Sequence, residues 1–234
     1  MRKTLIIHIQ SPMQSWGIGS RYERRGAGSA PSKSAICGMA CAAFGAARQS
    51  ELEERIVAAF NRMKMTSFCL QSGKVLSDYH TVQNFMRAKG TIERSDAVQT
   101  YRQYWTDKQY VVLLEGEDTN FLEELRSALI NPHWGIWFGR KCCIPSAPLI
   151  QEPLMEPGEA RDAALAGCDH DSVEICEEVD SFEDGNDTWM DAPQGFGRPD
   201  SSGRAGRVYL QRRVKVRALP IASPEAFFQF DAPV

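Results

Sequence analysis

Two runs of branched residues constrain this chain more than any other feature. Lys3-Thr4-Leu5-Ile6-Ile7-His8-Ile9-Gln10 stops at Ser11-Pro12, and Tyr110-Val111-Val112-Leu113-Leu114-Glu115 follows a long polar stretch. Both read as strands, the first largely buried with Leu5, Ile7 and Ile9 on its more apolar face. Helix signals lie between and after them. Ser32 can cap a helix in which Ala35 to Phe44 place small and apolar side chains at helical spacing, suited to close packing on a sheet. Residues 50 to 63 put Leu52, Ile56, Ala59, Phe60 and Met63 on one stripe. Thr119 or Asn120 can cap a third helix carrying Phe121, Leu122, Leu125, Ala128 and Leu129, ended by Pro132. A further strand is expected from Met65 to Leu70. Gly73 marks a turn, and residues 78 to 107, polar and weakly periodic with several aromatics, are expected to leave the core. This order of elements favours an α+β sandwich with a ferredoxin-like core over a repeat or an all-helical bundle.

The remainder is harder to place. Gly135 to Lys141 is expected as a constrained surface loop or short strand. The acidic stretch from 152 to 191 is turn-prone, although Val173-Glu174-Ile175-Cys176-Glu177 can form an edge strand. From Val208 to Val216 the sequence alternates so as to direct Val208, Leu210, Val214 and Val216 to a core, but Arg212 shares their parity. A twist, a bulge or an inward, hydrogen-bonded arginine would resolve that conflict.

Composition enters through charge. The chain has 234 residues, 43% of them apolar, enough for one elaborated domain or two small ones, and a formal net charge of -3. That total averages opposing regions. Residues 1 to 117 hold 16 basic and 10 acidic side chains, and residues 118 to 234 hold 11 and 20. Residues 152 to 191 alone contain 14 acidic groups and one arginine, after which residues 192 to 217 return to seven basic groups and one acidic. The acidic stretch is expected to be a solvated face or a partner surface, and its field would repel nucleic acid. The late basic residues, Arg198, Arg204, Arg207, Arg212, Arg213, Lys215 and Arg217, have three candidate partners: RNA, an acidic protein face and the chain's own acidic region.

Seven irregularly spaced cysteines disfavour a disulfide framework and point to a reducing cytoplasm. Cys168, His170 and Cys176 raise zinc as a rival use, but no paired CxxC supports it, and neither metal nor cofactor is expected. The apolar run near the N-terminus is too short for a signal peptide, and no window approaches a membrane span.

Three patches carry candidate binding chemistry. The first runs from Trp16 to Lys33, where Arg21, Arg24, Arg25 and Lys33 accompany Tyr22 and several glycines; arginine forks and a helix N-terminus there can hold phosphates. A glycine-rich loop packed by Trp16 and Tyr22 explains the same residues without a ligand. The spacing GxxxxGK[ST] of an ATP phosphate loop is absent. The second patch joins Tyr79 and His80 to Tyr101 and Arg102, with Arg87, Lys89 and Arg94 between them. Its cations can engage phosphates, and Tyr79, Phe85 or Tyr101 can stack on splayed bases. His80 and Tyr79 can also serve acid-base chemistry, but no second catalytic group accompanies them. The third patch is Gly139-Arg140-Lys141-Cys142.

Five segments in order, Ser11-Pro12-Met13-Gln14-Ser15-Trp16-Gly17, Pro31-Ser32-Lys33-Ser34, Leu76-Ser77-Asp78-Tyr79-His80-Thr81-Val82, Val98-Gln99-Thr100-Tyr101-Arg102-Gln103-Tyr104 and Phe138-Gly139-Arg140-Lys141-Cys142, resemble the Cas family-five subunits of the type I-E CRISPR surveillance complex Cascade. The resemblance implies a ferredoxin-like (RAMP/RRM-like) core over residues 1–145, with an inserted thumb at about 78–108. Residues 146–234 would form a C-terminal elaboration packed on it. It further implies a cytoplasmic, non-catalytic subunit that binds and caps the 5′ handle of CRISPR RNA and contacts the backbone and large subunits, meeting target DNA only within the assembled complex. The implied RNA-binding set is Gln14, Trp16, Arg21, Tyr22, Arg24, Arg25, Lys33, Tyr79, His80, Arg87, Lys89, Tyr101, Arg102, Arg140 and Lys141. Relatives in another subtype cleave precursor RNA, so metal-independent cleavage using Tyr22 or His80 stands as one alternative. A purely protein-binding module is the other. The acidic stretch from 152 to 191 departs from the family's motifs.

Overall fold

The computed structural model describes residues 1–17, 23–83, 85–86, 92–93, 97–166, 168, 170–197 and 208–220. In chain order its elements are β1 (Lys3–Gln10), β2 (Met13–Gln14), β3 (Arg24–Arg25), α1 (Lys33–Phe44), α2 (Glu51–Arg62), β4 (Lys64–Gln71), β5 (Lys74–Val82), β6 (Phe85–Met86), β7 (Ile92–Glu93) and β8 (Val98–Thr106). They continue with β9 (Gln109–Gly116), α3 (Thr119–Ile130), α4 (Pro157–Leu165), β10 (Ser172–Glu178), β11 (Asp187–Gly195) and β12 (Val208–Pro220). The fold is mixed α/β. A six-stranded sheet in the order β1-β9-β4-β10-β12-β11 is antiparallel throughout and runs continuously past residue 145.

Both expected strand runs lie side by side, β1 on β9, with Leu5 opposite Leu114 and Ile7 opposite Val112. Strand alternation then sends side chains to two cores. Leu5, Ile7, Ile9, Tyr110, Val112 and Leu114 meet α1, α2 and α3 on one face. Ile6, Val111 and Leu113, with Phe68, Val173 and Ile175, meet Ala160 and Ala164 of α4 on the other. Burial of this kind contributes about 25 cal/mol per Å² of apolar surface, which is why these runs dominate the fold.

The helices start where local chemistry places them. Ser32 Oγ accepts the Ala35 N–H at 3.2 Å, and Ser50 Oγ accepts that of Glu53 at 3.2 Å; each such cap is worth about 1 kcal/mol. The third cap is Asp118 rather than Thr119 or Asn120, its carboxylate accepting the Phe121 N–H at 3.0 Å. The cap lies one residue before Thr119, so the helix begins sooner than either candidate suggests.

The acidic stretch is more ordered than expected. It contains α4, entered through Pro157 and a reciprocal capping box between Glu156 and Glu159. Its expected edge strand, β10, is interior, paired with β4 on one side and β12 on the other. The edge on that side of the sheet is β11. Along β12 the expected alternation fails at its start: Val208 and Leu210 are exposed, whereas Arg212 and Val214 are buried. Register shifts between Met190 and Ala192 and between Pro193 and Gly195 accompany that change, and Arg212 turns inward to a carboxylate.

That carboxylate belongs to a buried ionic cluster. Arg212 Nε donates to Asp191 Oδ1 at 2.6 Å and Nη2 donates to Oδ2 at 3.0 Å. Asp191 Oδ2 also accepts the Lys33 backbone N–H at 2.8 Å. Lys33 Nζ donates to both oxygens of Glu178, at 2.8 and 2.9 Å, and to the Met63 carbonyl at 2.7 Å. Burial lowers the Lys33 pKa from its ordinary value, while the Glu178 carboxylate opposes that shift. Elsewhere Arg217 reaches Glu177 at 3.4 Å, and Lys64 pairs with Asp180. Much of the late basic segment therefore meets the chain's own acidic region. Arg198, Arg204 and Arg207 lie outside the described residues.

Between β4 and β9 the chain leaves the sheet as an arm. β5 and β8 pair over nine residues each, from Lys74 opposite Thr106 to Val82 opposite Val98. The arm departs and returns at one place, where Gln109 Nε2 donates to Gln71 Oε1 at 2.8 Å. β2 and β3 join β8 to complete a second sheet at the arm's base.

Candidate nucleic-acid interface

The arm brings the three basic patches together. Glu23 O accepts the Tyr101 N–H at 2.7 Å, and β3 runs parallel to β8 with Arg24 beside Tyr101 and Arg25 beside Arg102. Arg140 closes the arrangement from the third patch. Its Nη1 donates to the Gln103 carbonyl at 3.1 Å, its Nη2 donates to the Arg25 carbonyl at 3.2 Å, and its guanidinium lies 4.4 Å from the Tyr104 ring centroid. Segments more than a hundred residues apart in sequence thus share one surface.

Pleating also divides what the sequence presents as a single patch. Tyr79 pairs with Tyr101, and Arg24 shares their face. The two rings meet edge to face at 5.4 Å and remain 52% and 47% exposed. His80 pairs with Thr100 and Asp78 with Arg102, so these four occupy the opposite face together with Arg25. There Arg102 Nε donates to Thr100 Oγ1 at 3.1 Å. His80 is half-buried, and its Nδ1 has no hydrogen-bond partner among the described residues. One face offers aromatic edges with an arginine; the other offers Arg25 and Arg102, with Asp78 and His80 beside them.

Three residues expected to meet a ligand are instead inside the protein. Gln14 and Trp16 are both 0% exposed. Gln14 Nε2 donates to the Lys108 carbonyl at 2.6 Å, and its Oε1 accepts the Trp16 indole N–H at 3.1 Å. Trp16 packs 5.8 Å from the Phe138 ring. Lys33, 1% exposed, has its three ammonium hydrogens directed to Glu178 and Met63. Glycine-rich surroundings suggested open loop chemistry, but in each case burial prevails and the polar atoms are satisfied internally. Arg21, Tyr22, Arg87 and Lys89 lie outside the described residues.

The buried residues hold the loops that carry the exposed ones. Ser15 N–H donates to the Phe138 carbonyl at 3.0 Å, and Ser15 Oγ donates to the Gln103 carbonyl at 3.1 Å. The returning leg of the first loop is fixed by Trp105 Nε1 to the Gly28 carbonyl at 2.7 Å and by Lys108 Nζ to the Ser29 carbonyl at 2.9 Å, with the Tyr110 hydroxyl on the same oxygen. Lys141 stays exposed, its ammonium 5.8 Å from the Trp137 ring centroid. Arg25 and Arg140 also line a groove of about 1110 Å³ with Arg48, Trp134 and Trp137. Those last three were outside the expected set, although the spacing Trp-Gly-Ile-Trp just before Gly139 offered a signal.

All seven cysteines carry free thiols, and burial pushes that of Cys176 up to about 12. Among the described residues no three His, Cys, Asp or Glu side chains are grouped to hold a metal ion. No helix among them is long and apolar enough to cross a membrane.

A mixed α/β sheet with an inserted β-arm, and basic and aromatic side chains gathered at its base, defines a protein consistent with a RAMP-like core. The chain belongs to the CRISPR-associated protein family Cas5, whose model matches residues 4–215. It is similar to the CRISPR system Cascade subunit CasD of Escherichia coli (strain K12), with 28% identity over 158 residues that cover 64% of this chain and 70% of that protein. Among solved structures, a chain of a CRISPR RNA-guided surveillance complex aligns with a TM-score of 0.77 at 22% identity, over 93% of this chain and 90% of the other. A crystal structure of a Cas protein aligns at 0.66 with 26% identity, over 93% and 95%.

Proposed function

We propose that this chain is a non-catalytic, cytoplasmic subunit of a type I-E Cascade complex that binds and caps the 5′ handle of CRISPR RNA. The observation that carries this reading is the convergence of Arg24 and Arg25, Tyr101 and Arg102, and Arg140 at the base of one arm. Arg25, Arg102 and Arg140 take phosphates on one face, while Tyr79 and Tyr101 offer stacking edges beside Arg24 on the other. His80 and Lys141 extend the same surface; Arg21, Tyr22, Arg87 and Lys89 belong to the proposed RNA-binding set through the family resemblance alone. Gln14, Trp16 and Lys33 act as supports beneath it. The likeness to CasD and to a chain of an RNA-guided surveillance complex supports the assembly, with backbone and large subunits as neighbours and target DNA met only in the complex.

Strand order supports a ferredoxin-like core. The path β1, α1, β4, β9, α3 and then Met155, which bridges Thr4 on the free side of β1, follows the β-α-β-β-α-β sequence, with α2 and the arm as additions. On this reading the arm is the thumb expected at about 78–108, the core expected over 1–145 reaches past that bound to take its last element at Met155, and β10, β11 and β12 belong to the elaboration that extends the sheet.

Purified protein should bind CRISPR RNA with an intact 5′ handle more tightly than RNA with a scrambled one. Charge reversal of Arg102 and Arg140 together should weaken binding by about 100-fold at low salt, with a shallower salt dependence. Equal affinity and equal assembly yield for the two RNAs would remove the handle reading. Precursor RNA incubated with the protein without metal is expected to stay intact, and a specific product would favour the ribonuclease alternative.

A further inference from the structure

The groove beside the arm is built differently from the arm itself. One wall is α1, whose Ser34, Ala35, Gly38 and Ala42 present little side-chain volume; the other is the segment from Trp134 to Arg140. That segment is held at both ends. The His133 and Trp134 N–H groups donate to the Ala43 and Ala42 carbonyls at 2.9 and 3.0 Å, and Phe138, 0% exposed, is fixed to Ser15. Trp134 and Trp137 nevertheless remain 45% and 38% exposed. Large indole surfaces held rigidly in water beside a concave wall mark a binding surface.

Charge narrows the occupant. Arg25, Arg48 and Arg140 line the groove, and Glu53, the one acidic side chain lining it among the described residues, is buried with its carboxylate accepting the Gln49 N–H at 2.6 Å. Arg48 is exposed and forms no ion pair among the described residues. Cations combined with flat, exposed indoles suit unpaired nucleotides, whose phosphates and bases are recognised by these two groups. Resting on the proposed RNA-binding function, we infer that the groove is a second site for single-stranded RNA, with bases stacked on Trp134 and Trp137 and phosphates near Arg48 and Arg140. Arg25 and Arg140 belong to both surfaces, so one strand passes from arm to groove without a break.

Gly38 permits a test that does not depend on damaging the fold. A Cβ built there meets nothing within 4 Å, and any ordinary residue is a better helix former than glycine. Gly38→Glu should therefore leave the melting temperature unchanged or raised while placing a carboxylate in the groove. Its affinity for short oligouridylate and for handle RNA should fall about 10-fold or more, as should that of the Trp134→Ala, Trp137→Ala double variant. Gly158→Glu, the same change at an open position of α4, should leave binding intact. Unchanged affinity of Gly38→Glu for both RNAs overturns the inference, and if charge reversal of Arg102 and Arg140 still weakens binding, the arm reading survives alone. Conversely, loss of oligouridylate binding in Gly38→Glu by a wild-type protein that ignores handle sequence keeps the groove and removes the handle reading. Intact RNA affinity with failed assembly onto the other subunits would assign the groove to a protein segment and overturn the inference.

Discussion

Lys33→Met is expected to cost about 3 kcal/mol of folding stability, because it removes the two short bonds to the mostly buried Glu178 carboxylate and leaves it only the longer pair with Arg212 at 3.7 Å. A basic residue expected from the sequence to bind RNA would then be among the most damaging to remove for reasons unrelated to RNA. Pairing it with Glu178→Gln should recover most of the loss. A glutamine carbonyl can still accept the Met65 N–H, which Glu178 now takes at 3.0 Å, and Arg212 keeps its two bonds to Asp191. Urea unfolding of the two single variants and the double gives the coupling directly. A single-variant loss below about 1 kcal/mol would show that the cluster contributes little.

The second large effect is at Gly139. Its φ is +96°, and an added Cβ would lie 1.8 Å from the Ser15 carbonyl oxygen. Neither atom belongs to a flexible side chain, so the segment must move. Gly139→Ala is expected to destabilise by about 3 kcal/mol or more and to pull Arg140 away from the Gln103 and Arg25 carbonyls. Thermal unfolding and RNA affinity should fall together in this variant. Arg140→Ala, by contrast, should lose affinity with a much smaller change in melting temperature, since its side chain is only half-buried. Near-equal melting temperatures for Gly139→Ala and wild type would mean that the Ser15 contact is readily relaxed.

What the sequence made visible follows from the range of the forces involved. β1, β9, α1 with its Ser32 cap, and the apolar stripe of α2 are written in neighbouring residues, and their boundaries fall within a residue or two of expectation. The division of the arm is not local. Tyr79 and His80 are adjacent in sequence but face opposite ways, and only the register with Tyr101 and Thr100 shows which residues can act together. Burial of Lys33 depends on Glu178, 145 positions away, and an acidic run that reads as solvated becomes partly internal once Lys33 arrives from α1 and Arg212 from β12. The Pro157 and Glu156–Glu159 signals for α4 are local, but the helix they start is short and carries only Ala160 and Ala164 as buried positions, so its apolar face is faint within an acidic run. Trp134 and Trp137 had no charged neighbour in sequence except through Arg140 and Lys141, so their place beside Arg48 appears only when α1 is packed against them.

The Gln71–Gln109 contact has a further consequence. Because the chain leaves the main sheet and re-enters it at hydrogen-bonded neighbours, everything beyond that pair is a closed detour. Lengthening or shortening such a detour alters the closure entropy only logarithmically and leaves the pairing of β4 with β9 in place. The arm's reach is therefore a dimension that can be tuned separately from the platform: insertion or deletion between β5 and β8 changes how far the arm extends without renegotiating the core on which it stands.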